Sequence, residues 1–139
     1  MPFQYSRRIY LADTDAAGVI YFAKGMEICH EAYEESLASS RINLKQIIEE
    51  KKIALPIVRG EIDFLRPLFC GDRITINLTT KLINSREFAV NYQIFHVANS
   101  DKILVKAKTN HVSIDPAKRI RIDLPTAILN WLEAYEIEN

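Results

Sequence analysis

The chain has 139 residues, of which 48% are hydrophobic, and this length and composition predict one globular domain with a substantial core. Eighteen basic residues balance eighteen acidic ones, so the net charge of zero offers no electrostatic footprint for nucleic acid or an anionic membrane surface. No apolar run approaches the roughly 18 residues of a membrane span, and the start MPFQYSRRIY lacks the apolar core of a signal peptide. The two cysteines lack the spacing of metal ligands. We therefore expect a cytoplasmic protein with reduced thiols and no metal site.

The first part of the chain predicts a strand followed by two helices. FQYSRRIYL (3–11) mixes aromatic and β-branched residues in rough alternation, which is typical of a strand. Over residues 21–39, apolar side chains recur every three or four positions, and this spacing predicts a long amphipathic helix. Asn43, followed three residues later by Gln46, forms a possible capping box for a second, shorter helix.

Four β-branched runs follow, and they predict a meandering antiparallel sheet. Each break between them carries a turn signal that is compatible with a hairpin. In the last part of the chain, Pro125 is typical of a helix start, and a short closing helix is predicted there. This order of elements predicts an α+β domain whose sheet wraps or covers the long helix. The runs are 56–67, 72–85, 87–98 and 102–115, and the breaks are 70–72, 84–86 and 99–101.

The loop between the first strand and the long helix contains two acids and a glycine, Asp13, Asp15 and Gly18. The first backbone N–H groups of a helix have no partner within it and carry a partial positive charge, so they can hold an anion or a developing oxyanion. A carboxylate beside them could attack a polarised carbonyl or activate water against it, which is the equipment for acyl transfer. Alternatively, either aspartate caps the helix or makes an Asx-turn, and spacing alone favours this structural interpretation.

The motif DTDAAGVIYF, the amphipathic helix after it and the later stretch IDFLRPLFCGD resemble the hot-dog-fold acyl-CoA thioesterases of the 4-hydroxybenzoyl-CoA thioesterase type. The resemblance covers nearly the whole chain and extends to the patterns CHEAYE, ALPIV and CGDR, and it implies a single domain over residues 1–139. It implies an antiparallel sheet wrapped around a long central helix, and a homo-oligomer that is usually a tetramer of two dimers. It further implies hydrolysis of an aromatic acyl-CoA thioester, foremost 1,4-dihydroxy-2-naphthoyl-CoA, whose free acid leads to phylloquinone.

The same resemblance assigns roles within the acidic loop. The catalytic carboxylate of the family falls on Asp15, whereas Asp13 matches a first acid that we treat as structural. Backbone N–H groups in the stretch from Val19 to Phe22 would polarise the thioester carbonyl, and Gly18 would let the chain approach the substrate closely. Direct attack by the carboxylate and activation of water remain equal alternatives.

Other residues are assigned to substrate binding. Tyr21 and Phe22 would line an apolar acyl pocket, although a core role for Phe22 is at least as well supported. Arg86 matches a basic region that some family members use to contact the nucleotide of coenzyme A. The chain departs from the family at Lys24-Gly25, where related enzymes often carry Asn-Tyr, so the substrate-facing turn of the helix can differ.

Several alternatives stay open. The enzyme could act on another aryl- or short-chain acyl-CoA or on an acyl carrier protein, or the domain could bind acyl-CoA without catalysis. A histidine-based triad is poorly supported because His96 and His111 lack evident partners, and Cys29 on the apolar stripe of the helix is expected to be an inert buried thiol. His30 could reach a substrate hydroxyl but is more typical of a packing or surface residue. No cofactor is expected, since coenzyme A belongs to the substrate.

Overall fold

The helices and strands of this computed structural model, which describes residues 1–138, lie close to their predicted positions. The principal strands are β1 (Phe3–Arg8), β2 (Ile57–Phe64), β3 (Arg73–Asn84), β4 (Glu87–His96) and β5 (Val105–Val112), and β6 (Ile114–Asp115) pairs with β7 (Ile120–Arg121). The α-helices are α1 (Phe22–Ser39), α2 (Leu44–Glu50) and α3 (Thr126–Ala134), and a 3₁₀ helix spans Leu11–Asp13. Asn43 caps α2 as expected, because its side chain accepts the backbone N–H of Gln46 at 3.1 Å.

The five long strands form one antiparallel sheet in the order β1-β3-β4-β5-β2. The predicted hairpins that join β3 to β4 and β4 to β5 are confirmed. The predicted hairpin at residues 70–72 is wrong, since β2 pairs with β5 and the chain then crosses to the other half of the sheet before β3 begins. On the way it contacts the acidic loop, where the N–H of Ile20 donates to the carbonyl of Leu68 at 2.8 Å and Val19 forms an isolated bridge with Phe69.

Helix α1 packs across the inner face of this sheet, so the α+β, hot-dog arrangement expected from the resemblance is confirmed. Side chains along each central strand alternate between core and surface, as the two-residue period of a strand requires. The apolar stripe of α1 meets the inward-facing residues of β3, β4 and β5 in one core. The helix contributes Ile28, Cys29, Ala32, Tyr33 and Leu37 to this core.

Helix α3 covers the end of the core that lies opposite the acidic loop. The indole N–H of Trp131 donates to the Ser36 hydroxyl at 3.0 Å, and the Thr80 hydroxyl donates to the carbonyl of Leu132 at 2.6 Å, so α3 is tied to both α1 and β3. Across residues 1–138, no helix is both long enough and apolar enough to cross a membrane.

One histidine lies inside the core without a charged partner. His111 on β5 is fully buried, stacks on Phe88 with ring centroids 4.7 Å apart, and places its Nε2 2.8 Å from the Thr109 hydroxyl. The Thr109 hydroxyl in turn lies 3.0 Å from the phenol of Tyr92. Burial lowers the pKa of His111 to about 4 from its ordinary value of 6.5, because the charged imidazolium is poorly solvated there.

We expect this histidine to make the free energy of unfolding depend on pH. In the unfolded chain His111 binds a proton below about pH 6.5, whereas in the folded chain it does so only near pH 4. The free energy of unfolding that is present at pH 7.5 therefore falls as the pH falls between these two values. The loss between pH 7.5 and pH 5 should be about 2 kcal/mol, measured by urea unfolding at both values. His111→Gln keeps a polar partner for Thr109 and should flatten this dependence. An unchanged pH slope in that variant would show that another group titrates.

Candidate active site

The acidic loop folds into a small hairpin that presents Asp15 at its tip. The N–H of Asp15 donates to the carbonyl of Val19 at 2.9 Å, and Thr14 bridges Ile20 in antiparallel fashion. Gly18 closes the turn with a φ of +81°, a left-handed conformation that glycine adopts without strain. The Asp15 side chain is exposed, and its Oδ1 accepts the N–H of Ala17 at 2.8 Å. The Asx-turn considered as an alternative role for Asp15 is therefore present, and it uses one of the two carboxylate oxygens.

Asp13, in contrast, is a buried residue at the base of the hairpin. Its carboxylate pairs with the guanidinium of Arg7 and accepts the N–H of Tyr10 at 2.8 Å. The same guanidinium donates to both carboxylate oxygens of Glu31 on α1, at 2.8 and 2.9 Å, and the phenol of Tyr5 donates to Glu31 at 2.8 Å. These contacts join β1, the loop and the middle of α1, which agrees with a structural role for Asp13.

The first turn of α1 begins directly after this hairpin. The N–H of Tyr21, the residue before the helix, donates to the carbonyl of Asp13 at 2.9 Å. Neither aspartate caps the helix, and within residues 1–138 no side chain supplies an N-cap hydrogen bond to it. Asp15 lies two residues beyond Asp13 and hence at most about 7 Å from it along the backbone. The backbone of Asp15 therefore lies within about 10 Å of the first residues of α1, since Asp13 contacts Tyr21 directly.

An apolar groove opens beside this helix start. It has a volume of about 240 Å³ and is lined by Val19, Ile20 and Phe22 on one side and by residues 64–67 on the other; we call it the helix-start groove. Phe22 is 67% exposed and Tyr21 is 47% exposed, with their ring centroids 5.0 Å apart. The core role considered for Phe22 is therefore wrong for the single chain, and an aromatic surface adjoins the helix start.

Arg86 does not lie near Asp15 in the same chain. The acidic loop adjoins the first residue of β3, because Arg8 pairs with Arg73, whereas Arg86 follows the last residue of that strand. Twelve residues of β3 separate the two ends by roughly 35 Å. The Arg86 guanidinium contacts Asp123 at 3.1 Å. Its assignment to nucleotide binding therefore remains a prediction that requires a site completed by another subunit.

The remaining candidates lie away from the hairpin. His30 lines a separate cavity of about 400 Å³ between α1 and α2, with its Nδ1 3.8 Å from Glu34. Cys29 is fully buried, and burial raises the pKa of its thiol to about 12, so the expectation of an inert thiol is supported. In the described part of the chain, no group of three or more His, Cys, Asp or Glu side chains could hold a metal ion, and the absence of a metal stays a prediction.

Residues 9–132 match the family model of the thioesterase-like superfamily. The chain belongs to this superfamily. It is 52% identical to the 1,4-dihydroxy-2-naphthoyl-CoA hydrolase of Crocosphaera subtropica, over 95% of this chain and 96% of that protein. It is also 52% identical to the enzyme of the same name from Microcystis aeruginosa, over 92% of this chain and 91% of that protein.

Solved structures of this superfamily agree with the fold. A crystal structure of a 1,4-dihydroxy-2-naphthoyl-CoA thioesterase from Synechocystis superposes with a TM-score of 0.90 at 40% identity, covering 95% of this chain and 96% of that one. The resemblance that the sequence carries to hot-dog thioesterases is therefore confirmed, and the match extends over nearly the whole chain.

Sequence reasoning missed Arg7, Glu31 and Phe64. Arg7 shares the inward side of β1 with Phe3 and Tyr5, and an arginine on a core-facing side needs a buried partner. The alternation of inward and outward residues along β1 could therefore have indicated that Arg7 forms a buried ion pair. The contacts of Phe64 depend on the crossing of β2 over the first turn of α1, which no local pattern records.

The two aspartates should differ sharply in their contribution to stability. Asp13→Asn removes a carboxylate whose side chain is only 10% exposed and pairs with Arg7, so we expect the free energy of unfolding to fall by about 1–3 kcal/mol. Asp15→Asn keeps an oxygen that can accept the Ala17 N–H, and its exposed position should leave the unfolding free energy within about 0.5 kcal/mol of the wild type. Equal losses in urea unfolding would contradict this division of roles.

Proposed function

We propose that this protein hydrolyses 1,4-dihydroxy-2-naphthoyl-CoA to 1,4-dihydroxy-2-naphthoate and coenzyme A, a step that leads toward phylloquinone. The observation that carries the proposal is the placement of the Asp15 hairpin directly before the uncapped start of α1, beside an apolar groove. The substrate is supported by relatives of about half identity that bear this activity in their names. A cytoplasmic location remains part of the proposal.

In the proposed reaction, the thioester carbonyl lies over the first turn of α1. Within the predicted stretch from Val19 to Phe22, the N–H groups of Ile20 and Tyr21 already donate to backbone carbonyls, so the expectation that these two polarise the substrate is wrong. The backbone N–H groups at Phe22 and Ala23, which have no acceptor within the helix, would donate to the oxyanion as the carbonyl carbon becomes tetrahedral. The positive end of the helix favours the same charge. The aryl group would occupy the helix-start groove against Phe22 and Phe64.

Asp15 supplies the negative group that the reaction needs. As a base, it would take a proton from water while the water oxygen attacks the carbonyl carbon, and the carbon–sulfur bond then breaks to release the thiolate of coenzyme A. As a nucleophile, it would form an anhydride that water hydrolyses afterwards. Both routes consume one water molecule and yield the free acid and the thiol, and both require an ionised Asp15 at the helix start.

A panel of CoA thioesters tests the substrate. We expect kcat/KM for 1,4-dihydroxy-2-naphthoyl-CoA to exceed the values for acetyl-CoA and palmitoyl-CoA by at least about a hundredfold, or roughly 2.7 kcal/mol of differential transition-state binding.

Asp15→Asn should lower kcat on the best substrate by about a hundredfold or more, since the base or nucleophile is lost while the fold remains. A linear acyl-CoA that is hydrolysed equally well would overturn the substrate, and an Asp15→Asn variant with normal turnover would overturn the mechanism.

The proposal includes a homo-oligomer, most simply a tetramer built from two dimers, with active sites near the subunit interfaces. Strand β2 is an edge strand of the sheet, and its exposed residues include the apolar Ile57, Val58 and Phe64. An apolar edge with free backbone hydrogen-bonding groups is suited to pair with the same edge of a second copy. Such pairing would bring a second chain beside the helix-start groove, because Phe64 belongs to both features.

Light scattering at micromolar concentration should therefore give the mass of four chains. Val58→Lys places a charge on the exposed edge and should shift the mass toward smaller species. Val97→Lys is a matched control, because Val97 is 55% exposed and Val58 is 54% exposed, but Val97 lies outside β2. A monomeric mass for the wild-type protein, or equal dissociation in both variants, would contradict the β2 interface.

A further inference from the structure

The first turn of α1 contains a glycine where a helix would be more stable with almost any other residue. Gly25 lies within α1 and is buried. A glycine inside a helix costs about 0.8–1 kcal/mol relative to alanine, because its backbone loses more freedom on folding. The backbone angles at Gly25 are helical rather than left-handed, so conformation does not require a glycine here. Some other feature must occupy the space that a side chain would take.

That space is filled by the ring of Phe64. A Cβ at position 25 would lie 2.7 Å from Cζ and 2.8 Å from Cε1 of Phe64, and 2.9 Å from Cδ1 of Ile62. These separations are far below a normal carbon–carbon contact of about 3.5–4.0 Å. The phenyl ring thus rests directly on the helix backbone, and it can do so only because position 25 carries no side chain.

The same ring forms a wall of the helix-start groove. Phe64 and Phe22 both line it, and Gly25 follows Phe22 by three residues, so the two helix positions share a face. Phe64 is 40% exposed in the single chain, so the domain core does not enclose its ring on every side. A side chain at position 25 would push the Phe64 ring away from the helix backbone. The open space next to the ring is the helix-start groove, so the displaced ring would enter it.

We propose that Gly25 and Phe64 together determine the largest acyl group that the helix-start groove accepts. This inference rests on the proposed thioesterase function and adds the residues that select acyl size. The glycine seats the ring against the helix and so keeps the groove wide enough for a bicyclic aryl group. The departure from the family at Lys24-Gly25 thus places a small residue on α1 against a large one on β2.

Gly25→Ala tests the inference. The expected result is a loss of kcat/KM of at least about tenfold for 1,4-dihydroxy-2-naphthoyl-CoA and of less than about threefold for the single-ring benzoyl-CoA, because only the larger acyl group meets the displaced ring. The double variant Gly25→Ala/Phe64→Leu removes the ring and should recover the bicyclic substrate to within about threefold of wild type. Gly60→Ala is a matched control on β2, where the added Cβ would lie 3.4 Å from Cε of Met26, and it should leave the ratio of the two substrates unchanged.

The outcomes separate this inference from the function on which it rests. Equal losses on both substrates in a folded Gly25→Ala variant, or a double variant no better than the single one, would overturn the inference while the thioesterase activity stands. If the wild-type enzyme prefers a different class of acyl group, the loss of kcat/KM in Gly25→Ala is compared between a larger and a smaller member of that class. A selective loss on the larger member supports the inference, and equal losses overturn it. A wild-type protein that hydrolyses no CoA thioester would overturn the proposed function and this inference together. Circular dichroism melting curves verify that each variant is folded.

Discussion

The guanidinium of Arg7 lies between two carboxylates that belong to different parts of the fold, Asp13 at the base of the acidic hairpin and Glu31 in the middle of α1. Its side chain is only 11% exposed, so removal of either carboxylate would leave a cation poorly solvated. The arrangement fixes the end of β1, the hairpin and the helix relative to one another. The position of Asp15 depends in part on this contact, because Asp13 holds the base of the hairpin while Ile20 contacts Leu68 on its other strand.

The geometry around the helix start follows from two further constraints. The hairpin ends where the Asp13 carbonyl accepts the N–H of Tyr21, so α1 begins immediately after the turn that carries Asp15. The second constraint is the contact between the Phe64 ring and the backbone at Gly25, which sets the distance between β2 and the first turn of the helix. One contact therefore places the carboxylate and the other shapes the groove, and the uncapped N–H groups lie between them. Exposed aromatic rings at this point are costly to leave in water, which is consistent with a surface that a ligand or a second chain covers.

Local patterns in the sequence predicted much of the fold and only part of the site. The periodicity of α1 and the turns beside β4 are local, and each was found close to its observed position. The pairing of β2 with β5 was missed because a turn signal at residues 70–72 records a change of chain direction and not the partner strand. The acidic loop was identified from its motif and its first acid was assigned a structural role, whereas the hairpin that the loop forms was not predicted. The alternation along β1 marks Arg7 as an arginine that needs a buried partner, but the partner itself cannot be read from spacing. The contact of Phe64 likewise joins residues that are distant in sequence, which no spacing rule reveals.

In the proposed mechanism, Asp15 and the first N–H groups of α1 act on the same carbonyl. A crystal structure of Asp15→Asn with an unhydrolysed aryl thioester tests it most directly. We expect a carbonyl oxygen within about 3.2 Å of the backbone nitrogen of Phe22 or Ala23, the side chain of residue 15 next to the carbonyl carbon, and the aryl ring in the helix-start groove. An acyl group bound instead in the cavity beside His30, with the helix start occupied only by solvent, would contradict it.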